Sequence, residues 1–302
     1  MEKPTFYYPN TPDLPLPEGH RFPAEKYRML RELAETDGLL GKAQLIPSPP
    51  ATLEQLLHAH DKAYIDAVFS GELDPAIQRR IGLPWSPVLL ARSCATVGGA
   101  LAAARCALEC GISGQLAGGT HHAHRDFGSG FCTFNDLAVT SLVLLAERRC
   151  RRIAILDLDV HQGDGNAALL AQEPNIFVVS VHGEKNFPFR KVPSDLDIDL
   201  PDGTGDAEYA HAVDHALDAI QSFKPDLLLY ISGADALDAD RLGRLSLSLA
   251  GLHKRDTRVF QFARKQGLPV SLVLGGGYAE PITTTVEGYA GTLRSARNVF
   301  GF

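Results

Sequence analysis

The stretch RIAILDLDVHQGDG, residues 152–165, decides the fold class. It opens with a short apolar run that predicts a buried β-strand, and it ends in carboxylates, an imidazole and glycines. Comparable apolar runs follow at Ile176–Val181, Leu227–Ile231 and Val270–Leu274, and helical patterns separate them at Asp136–Arg148, Asp206–Phe223 and His253–Gln266. Strands and helices in alternation predict an α/β protein whose parallel sheet is covered by helices on both faces.

The amino-terminal part of the chain precedes this alternation and has a different pattern. Residues 1–23 are rich in proline, and we expect them to run extended over the surface before a helix that begins near Ala24. Apolar residues at helical spacing predict further helices over Thr52–Phe69 and Pro87–Glu109. Because no linker or repeat divides the chain, residues 1–302 are predicted to form one domain.

Composition excludes several classes of function. The formal charge of −7 and the pI near 5.9 argue against a nucleic-acid-binding protein, which is usually basic. The chain has no uninterrupted apolar run of 18 residues, and its start lacks the basic and apolar regions of a signal peptide, so we expect no membrane association. Its five cysteines contain no CxxC pair and suit a reducing compartment, which predicts a cytoplasmic protein.

The end of the first strand carries a candidate metal site. Asp157, Asp159 and His161 alternate along an extended segment, so their side chains share one face. Carboxylate and imidazole ligands at this spacing suit Zn²⁺ or another divalent ion. A catalytic zinc ion usually has three protein ligands, and Asp235 in ISGADAL, residues 231–237, follows another strand and is the candidate for the third.

Two further clusters supply groups for hydrolysis. The segment GGTHHAH, residues 118–124, offers two adjacent imidazoles, His121 and His122, and Asp157 and Asp164 are carboxylates that could orient them. The segment GGGY, residues 275–278, offers a glycine turn followed by Tyr278, whose hydroxyl could stabilise an oxyanion. No GxxxxGK[ST] pattern is present, which argues against a phosphate loop.

These motifs, in this order, resemble the histone deacetylase family of zinc-dependent hydrolases with the arginase fold. The resemblance rests on HHAH, GSGFCTFND, DLDVHQGDG, GADAL and GGGY, which extend over most of the chain. GHRFPAEKYRML, LPWS, DRLGRLSLS and GLHKRD are most similar to the class IV branch and its bacterial relatives. The resemblance implies a three-layer fold with a parallel sheet of about eight strands, and a substrate that is an acyl-lysine protein or peptide or a small acylated amine.

The resemblance also implies the cofactors. Asp159, His161 and Asp235 would bind Zn²⁺, in agreement with the reading of their spacing. A structural potassium ion would lie near Asp157 and Ser180.

The resemblance further implies the catalytic roles. His122 would be the general base that activates water and then protonates the leaving amine, and His121 would be its electrostatic partner. Asp157 and Asp164 would orient the two imidazoles, and Tyr278 would stabilise the tetrahedral oxyanion.

A narrow tunnel for the acyl-lysine stem is implied as well, lined by Phe131, Phe187, Gly130 and Gly276. Class I members hold the substrate backbone with an aspartate on an early loop, and only Asp74 is a candidate for that residue here.

Three other functions remain open at the level of sequence. A di-manganese ureohydrolase of the same fold would need extra carboxylates where Gly163 and Gly233 stand. A catalytically inactive scaffold or acyl-lysine reader would usually have lost a ligand, a histidine or the tyrosine, and all of them are present. An acetylpolyamine hydrolase is the main alternative, because an acidic surface would attract polycations.

Overall fold

The computed structural model describes residues 3–302 and contains one eight-stranded, wholly parallel sheet in the order β2-β1-β3-β8-β7-β4-β5-β6. The strands are β1 (Thr5–Tyr8), β2 (Gln44–Pro47), β3 (Ile112–Gln115), β4 (Ile153–Asp157), β5 (Ile176–Gly183), β6 (Leu196–Leu200), β7 (Leu227–Ser232) and β8 (Val270–Leu274). The predicted α/β class with an eight-stranded parallel sheet is therefore confirmed.

Helices cover both faces of the sheet. They are α1 (Lys26–Thr36), α2 (Leu53–Leu56), α3 (Lys62–Ser70), α4 (Pro75–Ile81), α5 (Pro87–Cys110), α6 (Asp136–Ala146), α7 (Asp164–Leu170), α8 (Asp206–Phe223), α9 (Leu249–Gln266) and α10 (Ile282–Phe300).

Two apolar cores lie on opposite faces of the sheet. In β4, Ala154 and Leu156 belong to one core, while Ile153 and Ile155 belong to the other. This alternation follows from the two-residue period of a strand, and both faces are apolar because both are covered by helices. The result is the three-layer arrangement expected from the sequence.

The amino-terminal segment differs from its prediction. Residues 5–8 form β1, which pairs with both β2 and β3 inside the sheet, and Phe6 is fully buried. Residues 1 and 2 of the predicted surface segment lie outside the described part of the chain. The prolines that suggested an exposed path do not interrupt residues 5–8, and β1 is short enough to fit between them.

The predicted helix Thr52–Phe69 is broken into α2 and α3. The backbone N–H of Asp61 donates to the carbonyl oxygen of Arg125 at 2.9 Å, and Asp61 has extended backbone angles. His60 contacts the carbonyl oxygen of His124 through Nδ1 at 2.8 Å. These bonds to a distant loop replace helical hydrogen bonds, which local periodicity does not reveal.

Helix α5 bears on the membrane prediction. By length and mean hydropathy alone it is long and apolar enough to cross a membrane, although Arg92 and Arg105 interrupt its apolar run. However, 61% of its apolar window is buried inside the protein, as in the core helix of a globular domain.

Candidate active site

Four polar clusters meet at one edge of the sheet. The GGTHHAH segment follows β3, GGGY follows β8, Asp235 follows β7, and Asp159 and His161 follow β4. These four strands are consecutive in the sheet, in the order β3-β8-β7-β4. Because all of them are parallel, their carboxyl ends lie together, which is where open α/β sheets form their sites.

Asp159, His161 and Asp235 form one compact trio. Each offers a ligand atom, and the three atoms lie within 4.8 Å of one another. His161 Nδ1 is 3.0 Å from Asp159 Oδ1 and 3.2 Å from Asp235 Oδ2. Both aspartates are almost completely buried, at 2% and 0% exposure. Within residues 3–302 this is the only such group of His, Cys, Asp and Glu side chains.

The chemistry of the trio fits a divalent cation. Burial, followed by the nearby charge of Asp159, raises the pKa of Asp235 to about 7. Two carboxylates held this close in an apolar interior repel one another, and a bound cation relieves that repulsion. One nitrogen and two oxygen ligands are a set that Zn²⁺ accepts, and three protein ligands leave a coordination position open.

Glycines make room for the trio. A Cβ on Gly276 would lie 1.9 Å from Asp235 Oδ2, and one on Gly275 would lie 2.6 Å from Asp159 Oδ2. The backbone N–H of Gly276 donates to Asp159 Oδ2 at 2.5 Å. The GGGY turn therefore approaches the carboxylates too closely for any side chain.

The two carboxylates that a ureohydrolase would need have no space. A Cβ on Gly233 would lie 2.7 Å from the Cα of Asp159, and one on Gly163 would lie 2.5 Å from Asp157 Oδ2. A second metal ion would therefore lack its ligands at both positions.

Two imidazole–carboxylate pairs lie beside the trio. His121 Nδ1 is 2.6 Å from Asp157 Oδ2, and His122 Nδ1 is 2.6 Å from Asp164 Oδ1. The two ring centroids are 4.1 Å apart, and both side chains are buried. The sequence predicted that Asp157 and Asp164 orient His121 and His122, and in the structure each carboxylate contacts one of the two imidazoles.

The two histidines differ in charge. Burial lowers the pKa of His121, but the charges of Asp157 and Asp159 outweigh burial and raise this pKa to about 9. Burial and the neighbouring charge of His121 lower the pKa of His122 to about 4, despite the hydrogen bond to Asp164. At neutral pH a charged imidazole therefore stands beside a neutral one.

Asp164 has a second partner that the sequence did not reveal. His124 Nε2 lies 3.1 Å from Asp164 Oδ2, and its ring stacks on Phe127 with centroids 4.4 Å apart. Burial tends to raise the pKa of Asp164, but the hydrogen bonds with His122 and His124 lower it overall. The third histidine of HHAH thus helps to keep this carboxylate ionised.

Tyr278 lies at the cavity wall and is 8% exposed. Burial, followed by the charges of Asp159 and Asp235, raises its pKa well above the usual value, so the phenol keeps its proton.

Two residues hold Tyr278 in place. The backbone N–H of Tyr278 donates to Asp240 Oδ2 at 2.6 Å. Lys26 Nζ lies 4.7 Å from the Tyr278 ring centroid and donates to the carbonyl oxygen of Gly277 at 2.9 Å. Neither Asp240 nor Lys26 had a sequence signal, because their partners are distant in the chain.

A cavity of about 950 Å³ opens over the trio, and the residues predicted to line the tunnel, Phe131, Phe187, Gly130 and Gly276, all line it. Gly130 has φ +53° and packs between two rings: a Cβ there would lie 2.6 Å from His122 and 3.2 Å from Phe187. Phe187 contacts the ring of His122 edge to face, with centroids 4.9 Å apart. The ring of Phe187 and the backbone of Gly130 thus lie against His122 inside the cavity.

The weak candidate Asp74 does not belong to this cavity. Its side chain accepts a hydrogen bond from the backbone N–H of Ala76 at 2.6 Å and caps α4. It is exposed and is not among the lining residues. The cap at the start of α4 explains the residue without a role in substrate binding.

The potassium ion stays a prediction. Asp157 and Ser180 are neighbours in register on β4 and β5. The Ser180 hydroxyl lies 2.9 Å from His182 Nδ1, and the Asp157 carboxylate is engaged with His121.

A buried arginine lies behind the trio and was also missed. Arg255 donates from Nε to Asp256 Oδ1 at 2.8 Å and from Nη2 to the Ser232 hydroxyl at 2.7 Å. Asp256 also accepts from Tyr230 at 2.5 Å and from Thr292 at 2.6 Å. The adjacent Arg and Asp give no periodic signal, and only the fold shows that both are buried.

The fold and the site define an α/β protein that carries, at the carboxyl edge of a parallel sheet, a trio of side chains that could hold a metal ion. Comparison with protein families matches residues 20–291 to the histone deacetylase domain. The chain belongs to the histone deacetylase family, and this makes it a deacetylase or amidohydrolase.

Individual relatives span most of the chain. An uncharacterized protein of Picosynechococcus sp. strain PCC 7002 is 41% identical over 301 residues, covering 99% of this chain and 100% of the relative. Histone deacetylase 2 of Arabidopsis thaliana is 30% identical over 269 residues, covering 86% of this chain and 70% of the relative. A histone deacetylase-like amidohydrolase of Pseudomonas aeruginosa is 29% identical over 288 residues, covering 88% and 74%.

Proposed function

We propose that this protein is a zinc-dependent hydrolase that cleaves the amide bond of N-acyl-lysine side chains. The observation that carries the proposal is the buried trio of Asp159, His161 and Asp235, of which Asp159 and His161 line the cavity, next to a neutral and a charged imidazole. The family membership supports amide hydrolysis, and the rings of Phe131 and Phe187 in the cavity lining suit the aliphatic stem of a lysine.

Asp159, His161 and Asp235 would hold the zinc ion. When bound, it supplies Lewis acidity that polarises the amide carbonyl and lowers the pKa of a water molecule.

His122 is the proposed general base. Its Nδ1 is engaged with Asp164, so Nε2 is the nitrogen available to accept a proton from water. The water oxygen adds to the carbonyl carbon, and the C–N bond of the amide then breaks. The same nitrogen returns the proton to the leaving lysine amine, which releases a carboxylic acid and a free amine. The low pKa of His122 means that it begins this cycle unprotonated at neutral pH.

His121 and Tyr278 act on charge that develops during the reaction. The raised pKa of His121 favours its positively charged form, and this charge would stabilise the anionic tetrahedral intermediate. The Tyr278 hydroxyl keeps its proton and is the proposed donor to the oxyanion. Asp157 holds His121 in its charged form through the contact at 2.6 Å.

A panel of substrates tests this function. Peptides that carry acetyl-, longer acyl- and myristoyl-lysine would be incubated with the protein, next to acetylpolyamines, with and without a zinc chelator. We expect chelator-sensitive release of the acyl group from the peptides, restored by one equivalent of zinc per chain. Activity confined to acetylpolyamines would replace the proposed substrate class, and no turnover on any of these compounds would favour a non-catalytic acyl-lysine reader.

A further inference from the structure

The wall of the cavity is strongly basic. Eight lining residues carry a positively charged side chain: Arg21, Arg79, Arg80, Arg92, Lys185, Arg190, Arg241 and Arg244. The only carboxylates among the lining residues, Asp159 and Asp164, belong to the catalytic floor. Asp159 is part of the trio, and Asp164 is engaged with two histidines.

Most of these cations have no carboxylate partner. In the part of the chain that the structure describes, no ion pair is formed by Arg21, Arg79, Arg80, Arg92 or Arg190. All of these are exposed except the half-buried Arg92.

Three of the eight are partly neutralised by surface carboxylates. Arg244 and Lys185 share Asp202, at 3.2 and 3.9 Å, and Arg241 pairs with Glu280 at 3.2 Å.

Two of the unpaired arginines are held by aromatic rings. The guanidinium carbon of Arg80 lies 3.8 Å from the ring centroid of Phe127, and that of Arg92 lies 4.3 Å from the ring centroid of Tyr27. Stacking fixes the plane of a guanidinium but leaves N–H groups at its edge for a ligand. These two side chains are therefore positioned without being neutralised.

The positive charge of the cavity lining is opposite in sign to the net charge of the chain. The protein carries 36 acidic and 29 basic residues, and eight of those basic residues line one cavity. A concave surface lined by one sign of charge concentrates its field and attracts ligands of the opposite sign. A substrate that enters the site therefore meets positive charge, although the protein as a whole is anionic.

We propose that the site selects acylated amines whose neighbouring groups are anionic, foremost an acyl-lysine flanked by aspartate or glutamate, and disfavours polycationic acylpolyamines. This inference rests on the proposed deacylase function and names its substrate class. Guanidinium groups bind carboxylates through paired N–H donors, so an acidic flank gains charge-assisted hydrogen bonds at the rim. A polyamine would instead bring further positive charge against five arginines that lack an ion pair.

Matched peptides test the selectivity. One acyl-lysine would be placed between glutamates, between glutamines or between lysines in an otherwise identical peptide. We expect kcat/KM to be at least about tenfold higher for the acidic than for the basic peptide at low ionic strength. The ratio should fall toward one as salt is added, because exposed charges are screened over about 10 Å at 0.1 M salt.

A charge-reversal variant tests whether the basic residues that line the cavity cause the preference for the acidic peptide. Arg79→Glu with Arg190→Glu should abolish or invert the ratio of acidic to basic peptide. The matched control is Lys42→Glu with Lys254→Glu, which changes the net charge equally at exposed positions outside the cavity and should keep the wild-type ratio. Arg190→Glu alone, outside helix and strand, should reduce the ratio even if the change at Arg79 disturbs the end of α4.

The outcomes separate the two proposals. Equal turnover of the three peptides, or equal loss of preference in the control variant, would overturn the inference while leaving the deacylase function standing. No turnover of any peptide or small acylated amine would remove the deacylase function itself. A small substrate with two carboxylates, Nα-succinyl-Nε-acetyl-lysine, tests whether the anionic groups beside the acyl-lysine belong to a protein segment or to a small metabolite. Turnover equal to that of the acidic peptide indicates a small anionic metabolite, and weaker turnover indicates a protein segment.

Discussion

Arg255 donates a hydrogen bond from Nη1 to the carbonyl oxygen of Gly233 at 2.8 Å. The same nitrogen donates to the carbonyl oxygen of Leu158 at 3.2 Å. Leu158 immediately precedes Asp159, and Gly233 lies two residues before Asp235. One buried guanidinium therefore connects the two backbone segments that carry the carboxylates of the candidate metal site.

Replacing Arg255 should destabilise the protein and loosen the trio. Arg255→Met would leave Asp256 buried without its cationic partner, and breaking such a pair costs about 3–5 kcal/mol. We expect a decrease of that size in the free energy of unfolding, measured by urea denaturation, together with weaker zinc retention. Arg258→Met is the control on the same helix: its pair with Asp214 is exposed, so its effect should stay below about 1 kcal/mol. Equal effects of the two changes would contradict the role given to Arg255.

Gly276→Ala should reduce zinc binding without unfolding the chain. The added methyl group would lie 1.9 Å from Asp235 Oδ2, so either the carboxylate or the turn must move. We expect less than one zinc ion per chain by atomic absorption, with an unchanged far-UV circular dichroism spectrum. In Gly205→Ala the nearest atoms to the new methyl group are 4.0 Å away, so this control should bind zinc normally. Full zinc occupancy in Gly276→Ala would show that the site tolerates a displaced turn.

The two histidines should respond differently to replacement by alanine. His122→Ala removes the proposed base and should lower kcat by about 10²–10⁴-fold while zinc remains bound. His121→Ala removes a charge rather than the proton acceptor and should lower kcat less. Steady-state kinetics with zinc content measured in parallel check both. Activity retained in His122→Ala and lost in His121→Ala would reverse the assignment of the base.

Tyr278→Phe removes only the proposed oxyanion donor. Loss of one such donor typically lowers kcat by about 10²–10³-fold. We expect this decrease with little change in KM and with full zinc content. Tyr64→Phe is a suitable control, since that hydroxyl donates to the carbonyl oxygen of Thr133 and does not line the cavity. Unchanged turnover in Tyr278→Phe would remove the tyrosine from the mechanism.

His60 should make stability dependent on pH. It is buried between the carbonyl oxygen of His124, at 2.8 Å from Nδ1, and the backbone N–H of Asn135, which donates to Nε2 at 2.9 Å. Burial lowers its pKa from 6.5 to about 4. The unfolded chain therefore binds a proton more readily than the folded chain between these values. The stability due to neutral His60 is complete above pH 6.5 and is lost as the pH falls toward 4.

The contribution of His60 over this range corresponds to roughly 3 kcal/mol. His60→Gln keeps an amide donor and a carbonyl acceptor but does not titrate. The free energy of unfolding should therefore decrease from pH 7 to pH 4 by roughly 3 kcal/mol more in the wild type than in this variant. The same decrease in both proteins would assign the pH dependence to other groups.

Much of the site could be predicted from local sequence. Asp159 and His161 share a face because a strand repeats every two residues, and Asp235 follows a second apolar run. Once the strands are known to be parallel, their carboxyl ends must meet, so the ligand trio, His121, His122 and Tyr278 are expected at one edge.

The sequence by itself therefore determined the fold class, the trio and the family resemblance, because strand period and motif order are local properties. Only the tertiary structure decided which residues support and surround that site. Arg255, Lys26 and His60 reach backbone carbonyl oxygens that are more than 20 residues away, and no periodic pattern records such contacts. The break between α2 and α3 and the basic rim of the cavity arise in the same way. Both depend on which distant segments the folded chain brings together, and the net charge of −7 even indicated the opposite sign for the rim.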